Sequence, residues 1–377
     1  MSLCWLRGSG HPHLPSPRPI THHEFPGHPT MRNLFRHFLT LSFLAALAGC
    51  ATASEATADL PAIGSTTAYD PSFQSIVAAD ARIEKLSEGF TWSEGPAWVR
   101  AGDYLLFNDV PKNTLYRWTA RDGLSVFLQP SGLADPDPKI TREAGANGLY
   151  AEPVGTVLLA DSGTRVVARL DPATKSKTTI AATYEGKRFN SPNDLVRRRD
   201  GVVFFTDPPY GLEGMADSPA RELEFSGVYR LDTDGSVHLL EDGLDFPNGI
   251  ALSPDERTLY VANSDPARPI WMAYSLDAVG AIVDKRVFAD ASDLMGDDAP
   301  GLPDGMAVAA DGTLFATGPG GVIVFAPDGK RLGRIETGKA VSNCAFGDDG
   351  RTLYMTSSDS LARVRLMVTG VGFPVSP

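Results

Sequence analysis

Histidine all but disappears past residue 50: of the seven in the chain, only His238 lies beyond it. Cysteine is as scarce, with Cys4, Cys50 and Cys344 the only three. Past Cys50 one thiol remains, so no intrachain disulfide can form there and no zinc site of histidines and cysteines can be assembled. A Ser-His-Asp triad would have to use His238, which sits in the alternating stretch SVHLLED, and no G-x-S-x-G nucleophile turn exists. His238 is therefore read as a strand residue outside the chemistry. Basic charge is also in deficit, with 34 Lys+Arg against 46 Asp+Glu and a net charge of −12. That disfavours a nucleic-acid partner, which needs a basic footprint, and favours cations and neutral or positively charged ligands. No convincing amphipathic helix appears past residue 80.

The N-terminus reads as a processing region. Residues 1–30 are rich in His and Pro and precede Met31; they read as an over-extended gene start. Residues 31–49 combine Arg32 and Arg36 with the apolar run Phe38–Ala48, too short for a permanent span. Leu47-Ala48-Gly49-Cys50 resembles a bacterial lipobox, which implies a lipidated Cys50 as the membrane anchor. Residues 50–80, small and polar, read as a tether. The expected address is the periplasm, and the outer membrane in particular, since Ala51 and Thr52 supply no retention aspartate.

Six copies of one phrase fill the rest. They open at Glu94, Asn147, Asn193, Asn248, Asp304 and Asn343, and each spans an apolar stretch, a turn and a strand with a polar end. Recurrence at a period near 50 residues marks a repeat architecture. RRDGVV, AADGTL and DDGRTL carry Asp-Gly turns, and a further alternating pair such as GVYRLDTDGSVHLLED follows each phrase. Four strands repeated six times predict an all-β, six-bladed β-propeller over residues 81–377. The sixth copy is one strand short, so Ala81–Glu88 is expected to close the ring from the N-terminal side. A β-sandwich would explain strands and turns but not six copies of one phrase.

In a propeller the innermost strands line a central channel, so the six opening residues converge on one axis. They are two carboxylates and four amides, with no Lys or Arg. Such oxygen donors suit a divalent cation, Ca²⁺ above all, one per chain. The rival reading makes them turn residues, because Asn-Gly and Asp-Gly are common turn pairs. The stretches 131–146 and 206–226 are long loops expected at the rim, with Tyr210 of TDPPYGL on one of them.

EGPAW, YEGKRFNSPNDL, DGVVFFTDPPYGL, FPNGIALSPDERTLYVANS and LPDGMAV occur in order between about Glu88 and Ser358. Together they resemble the SMP-30/gluconolactonase/luciferin-regenerating family, gluconolactonase-like branch. The resemblance implies a six-bladed propeller, a divalent cation in its channel and hydrolysis of sugar lactones. It implies metal ligation by Glu94 of EGP, Asn193 of SPND, Asn248 of PNG and Asp304 of PDG. Asp304 is then the favoured general base, and Asn193 faces both metal and substrate. Asp194 is a second candidate base. Asn147, Asp194, Tyr210 and Asn343 are expected to contact substrate. The family's histidine near Asp161-Ser162-Gly163 is missing here. Two other functions fit the same fold: phosphotriester hydrolysis at the same cation, and a non-catalytic binding scaffold.

Overall fold

The computed structural model describes residues 60–374. The expected gene-start extension, signal segment and Cys50 anchor lie outside the described residues, as does the first part of the tether. The described chain is all-β apart from four short 3₁₀ turns.

Each phrase folds as the two inner strands of one blade. In blade 1 these are Ser93–Val99 and Tyr104–Asp109, followed outward by Thr114–Thr119 and Gly123–Leu128. Blades 2, 3 and 4 repeat the order from innermost strands Leu149–Ala151, Leu195–Arg197 and Pro247–Leu252. Blade 5 begins at Met306–Val308 and blade 6 at Asn343–Gly347. The expected Asp-Gly turns are present, with Gly201 and Gly312 at φ of 104° and 89° between the two inner strands of their blades.

Closure follows the expectation. Ile83–Glu88 pairs antiparallel with Ser360–Arg365, so the N-terminal side supplies the outer strand of blade 6. Arg363 Nε donates to Glu84 Oε2 at 2.8 Å across that seam. One expectation needs correction. The second half of the supposed tether is built into the domain: Ser65–Ala68 adds a fifth strand to blade 5, against Arg331–Glu336. A 3₁₀ turn at Pro71–Ser75 then buries Phe73. Thr67 Oγ1 donates to Glu336 Oε2 at 2.8 Å, which ties this polar strand down.

The hydrophobic core is divided into six clusters, one between each pair of neighbouring blades. Trp98 stacks on Tyr354 across the blade 1–blade 6 junction at 5.5 Å between ring centroids. The apolar faces thus pack blade against blade and leave the polar strand starts for the axis. His238 lies on the outer strand of blade 3, half-exposed and 3.0 Å from Asp232, away from the axis.

Candidate active site and metal centre

The opening residues sit where the innermost strands begin, and backbone pairing fixes them there. Asn147 N donates to Ala160 O at 2.9 Å, Asn193 N to Thr206 O at 2.9 Å and Asp304 N to Thr317 O at 3.1 Å. A second set of bonds sews each blade to the next. Asn108 Nδ2 donates to Asn147 O at 2.7 Å, and Ser162 Oγ to Pro192 O at 2.6 Å. Thr206 Oγ1 donates to Asn248 O at 2.7 Å, and Ser264 Oγ to Pro303 O. Thr317 Oγ1 donates to Ser342 O at 3.0 Å, and Ser342 Oγ to Ser93 O at 2.6 Å. The circuit visits all six blades and returns to the first. Its acceptors are carbonyls at, or one residue before, each opening position. Five of the donors lie at or beside the polar end of a phrase, and the sixth, Ser342, directly precedes the opening Asn343; together they hold the site residues in place.

The glycine that follows four of the openings has a packing cause. A Cβ on Gly249 would lie 2.1 Å from Asp304 O, and one on Gly305 would lie 1.9 Å from Asn343 Cγ. Neither glycine has a positive φ. These Asn-Gly and Asp-Gly pairs are strand starts where the next blade approaches, and the turn reading does not hold for them.

Glu94 is buried, with Oε2 accepting from Gly95 N at 3.0 Å and Oε1 from Trp92 Nε1 at 3.3 Å. Asn248 Nδ2 donates to Ser264 Oγ at 2.9 Å. Tyr210 stacks on Phe246 at 5.6 Å, and its hydroxyl approaches Ser264 and Asn248. Asp194 and Asn343 meet across the axis, Nδ2 to Oδ2 at 3.5 Å. These two also line a cavity of about 500 Å³ around the far ends of the innermost strands, whereas Glu94, Asn147, Asn193, Asn248 and Asp304 do not. Asn147 and Asn193 are buried at their strand starts and placed through their backbones.

The electrostatics of the ring are those of crowded anions. Burial pushes the Glu94 carboxyl well up, and the charges of Asp194 and Glu143 add to it, against the Gly95 N–H and the Trp92 indole. Burial also raises Asp304, reinforced by Glu94 and Asp194. Asp194 is pushed up to about 7 by burial, against hydrogen bonds from Leu195, Ile250 and Asn343. None of the three forms an ion pair among the described residues. Buried carboxylates without a cation are costly, and a divalent cation would offset them. Among the described residues no group of three or more His, Cys, Asp and Glu side chains is gathered tightly enough to hold a metal by themselves. A cation here would need amide oxygens, such as those of Asn193 and Asn248, beside Glu94 and Asp304, and a mixed oxygen set of that kind fits a hard cation.

The two long loops meet at this mouth. Thr141 bridges Leu212, and Arg142 N donates to Gly211 O at 2.9 Å. They bring in Glu143, whose charge acts on Glu94, Asp304 and Tyr210. The sequence reading missed Glu143, Trp92, Phe246 and Ser264. The loop lengths were the available signal for the first. Ser264, in YVANS, carried a signal as the polar end of its phrase.

These features define a six-bladed propeller with an all-oxygen, anionic site on its axis. Residues 92–359 match the SMP-30/Gluconolactonase/LRE-like region family, and the chain belongs to that family. It is 43% identical over 330 residues to a gluconolactonase of Zymomonas mobilis, covering 86% of this chain and 93% of that one. A solved gluconolactonase structure from Xanthomonas campestris superposes with a TM-score of 0.69 at 33% identity, covering 81% of this chain and 97% of the other. The calcium-binding protein regucalcin from Agrobacterium tumefaciens shares the fold, with a TM-score of 0.60 at 21% identity, over 78% of this chain and 96% of that one.

Proposed function

We propose that this protein hydrolyses sugar lactones with the help of a divalent cation, most simply Ca²⁺, held by Glu94, Asn193, Asn248 and Asp304. The observation that carries the reading is the ring itself: oxygen donors from separate blades, buried carboxylates without a counter-cation, and no basic residue among the openings. Similarity to the Zymomonas gluconolactonase supports the substrate class.

A cation bound there would act as a Lewis acid on the lactone carbonyl and on the oxyanion that develops. Asp304, placed beside the cation site, accepts a proton from the attacking water as general base. The water oxygen bonds to the carbonyl carbon, the ring C–O bond breaks, and the proton passes to the departing alkoxide. The product is the open hydroxy acid. Tyr210, packed on Phe246, and Asn193 orient the ring beside the attacking water. Asn147, Asp194 and Asn343 stand behind that shell. Asp194, tied to Leu195 N at 2.8 Å and facing Asn343, supports the charge balance of the site in preference to acting as base.

The test is hydrolysis of glucono-δ-lactone by the full chain, followed by proton release, before and after chelation and with Ca²⁺ restored. Activity lost to chelator and regained with the ion is expected. Turnover of phosphotriesters and not of lactones would move the substrate class to phosphoesters. No turnover of either would leave a binding scaffold. We also propose that Cys50 carries the lipid anchor at the outer membrane. A Cys50→Ala chain should lose a lipid-sized mass increment and leave the membrane fraction.

A further inference from the structure

We infer that Glu143 is a specificity-determining residue whose carboxylate accepts hydrogen bonds from the ring hydroxyls of a polyhydroxylated lactone. The inference rests on the lactone-hydrolase reading above. Glu143 comes from the loop 131–146, outside the repeat, so nothing in the blade geometry requires a carboxylate there. Yet the loop is fastened to deliver it. Arg142 Nη1 donates to Tyr210 O at 3.0 Å and lies 3.1 Å from Glu143 Oε1, so one guanidinium nitrogen fixes the carboxylate relative to Tyr210. Glu213 N donates to Ile140 O at 3.1 Å and holds the same two loops together from the other side.

The Glu143 side chain is only 17% exposed. An ionised carboxylate is acceptor-only, with about four lone-pair positions. Arg142 occupies one side of it, and no hydrogen bond reaches Oε2 among the described residues. A shielded acceptor short of donors, at the mouth of a site for neutral rings, matches hydroxyl groups. It matches less well a second cation ligand, since Arg142 already neutralises it.

The experiment uses the full chain and two six-membered lactones: glucono-δ-lactone, which carries ring hydroxyls, and δ-valerolactone, which has none. The variants are Glu143→Gln, near-isosteric and compatible with the loop packing, and Glu143→Ala. The readout is the ratio of kcat/KM for the hydroxylated over the bare ring. Loss of a hydrogen bond to a charged group is expected to lower that ratio about tenfold or more in Glu143→Ala, chiefly through KM, with Glu143→Gln in between. A ratio unmoved in both variants, or equal losses on both lactones through kcat, would overturn the assignment. Failure of the unmodified chain to hydrolyse either lactone would instead overturn the lactone reading, and this inference with it.

Discussion

Asp194 Oδ2 lies 3.5 Å from Asn343 Nδ2, and the two side chains come from blades half a turn apart. One bridge across the axis thus divides the channel. The oxygen ring and clasped loops stand at one mouth, and a cavity of about 500 Å³ opens at the other. Replacing Asn343 by Leu removes the donor and leaves a buried carboxylate facing an apolar group. The expected cost is about 1–3 kcal/mol of stability, read as a lower midpoint in chemical denaturation. An unchanged midpoint would mean that water serves Asp194 equally well.

The same crowding sets a pH dependence. Asp194 titrates near 7 in the fold against an ordinary 3.8, and Glu94 and Asp304 are shifted in the same direction. A carboxyl raised in the folded state favours the protonated form. Its contribution to stability is complete below the ordinary carboxylate range and is lost as pH rises through the folded value. In chelator, Tm should therefore fall between pH 5 and pH 8. Saturating Ca²⁺ should flatten that fall, because the ion replaces the lost protons. Parallel Tm curves with and without the ion would argue against a cation on this axis.

The inter-blade circuit predicts coupling between stability and site geometry. Thr206 Oγ1 donates to Asn248 O and so anchors blade 3 to a proposed metal ligand. Thr206→Val keeps the shape, removes the donor and leaves a buried carbonyl one bond poorer. The expected destabilisation is about 1–3 kcal/mol. Metal affinity, measured by calorimetry, should weaken with it. A stability loss with unaltered affinity would confine the bond to a structural role.

Much of this was legible because the fold repeats itself. The phrase opening at Asn193 states its inner strand, its Asp-Gly turn and its neighbour in one stretch, and the other five confirm it by register. Closure was legible for the same reason: the sixth copy lacked a strand, and Ile83–Glu88 had no other partner. Ser65–Ala68 was not legible. Its four residues, STTA, are polar and small, and its partner Arg331–Glu336 is remote in sequence. Glu143 was missed because a loop residue has no periodicity to mark it. The Asn-Gly pairs were ambiguous because a turn and a close backbone approach both select glycine, and only the packed structure separates them.

That separation can be tested at Gly249. Its φ is not positive, so an alanine there carries no left-handed strain. Its Cβ would nevertheless lie 2.1 Å from Asp304 O, and backbone cannot move aside as a side chain can. Gly249→Ala should therefore cost about 1–3 kcal/mol or more through overpacking. It should also push the blade 5 opening outward and weaken the proposed site. Gly235→Ala is the comparison: its φ is +90° with nothing near the added Cβ, so strain acts there without a clash and far from the axis. Both variants should lower Tm, but only Gly249→Ala should also reduce Ca²⁺ affinity. Equal affinity in the two would mean that the glycine answers to local conformation alone and that the openings do not touch a common ion.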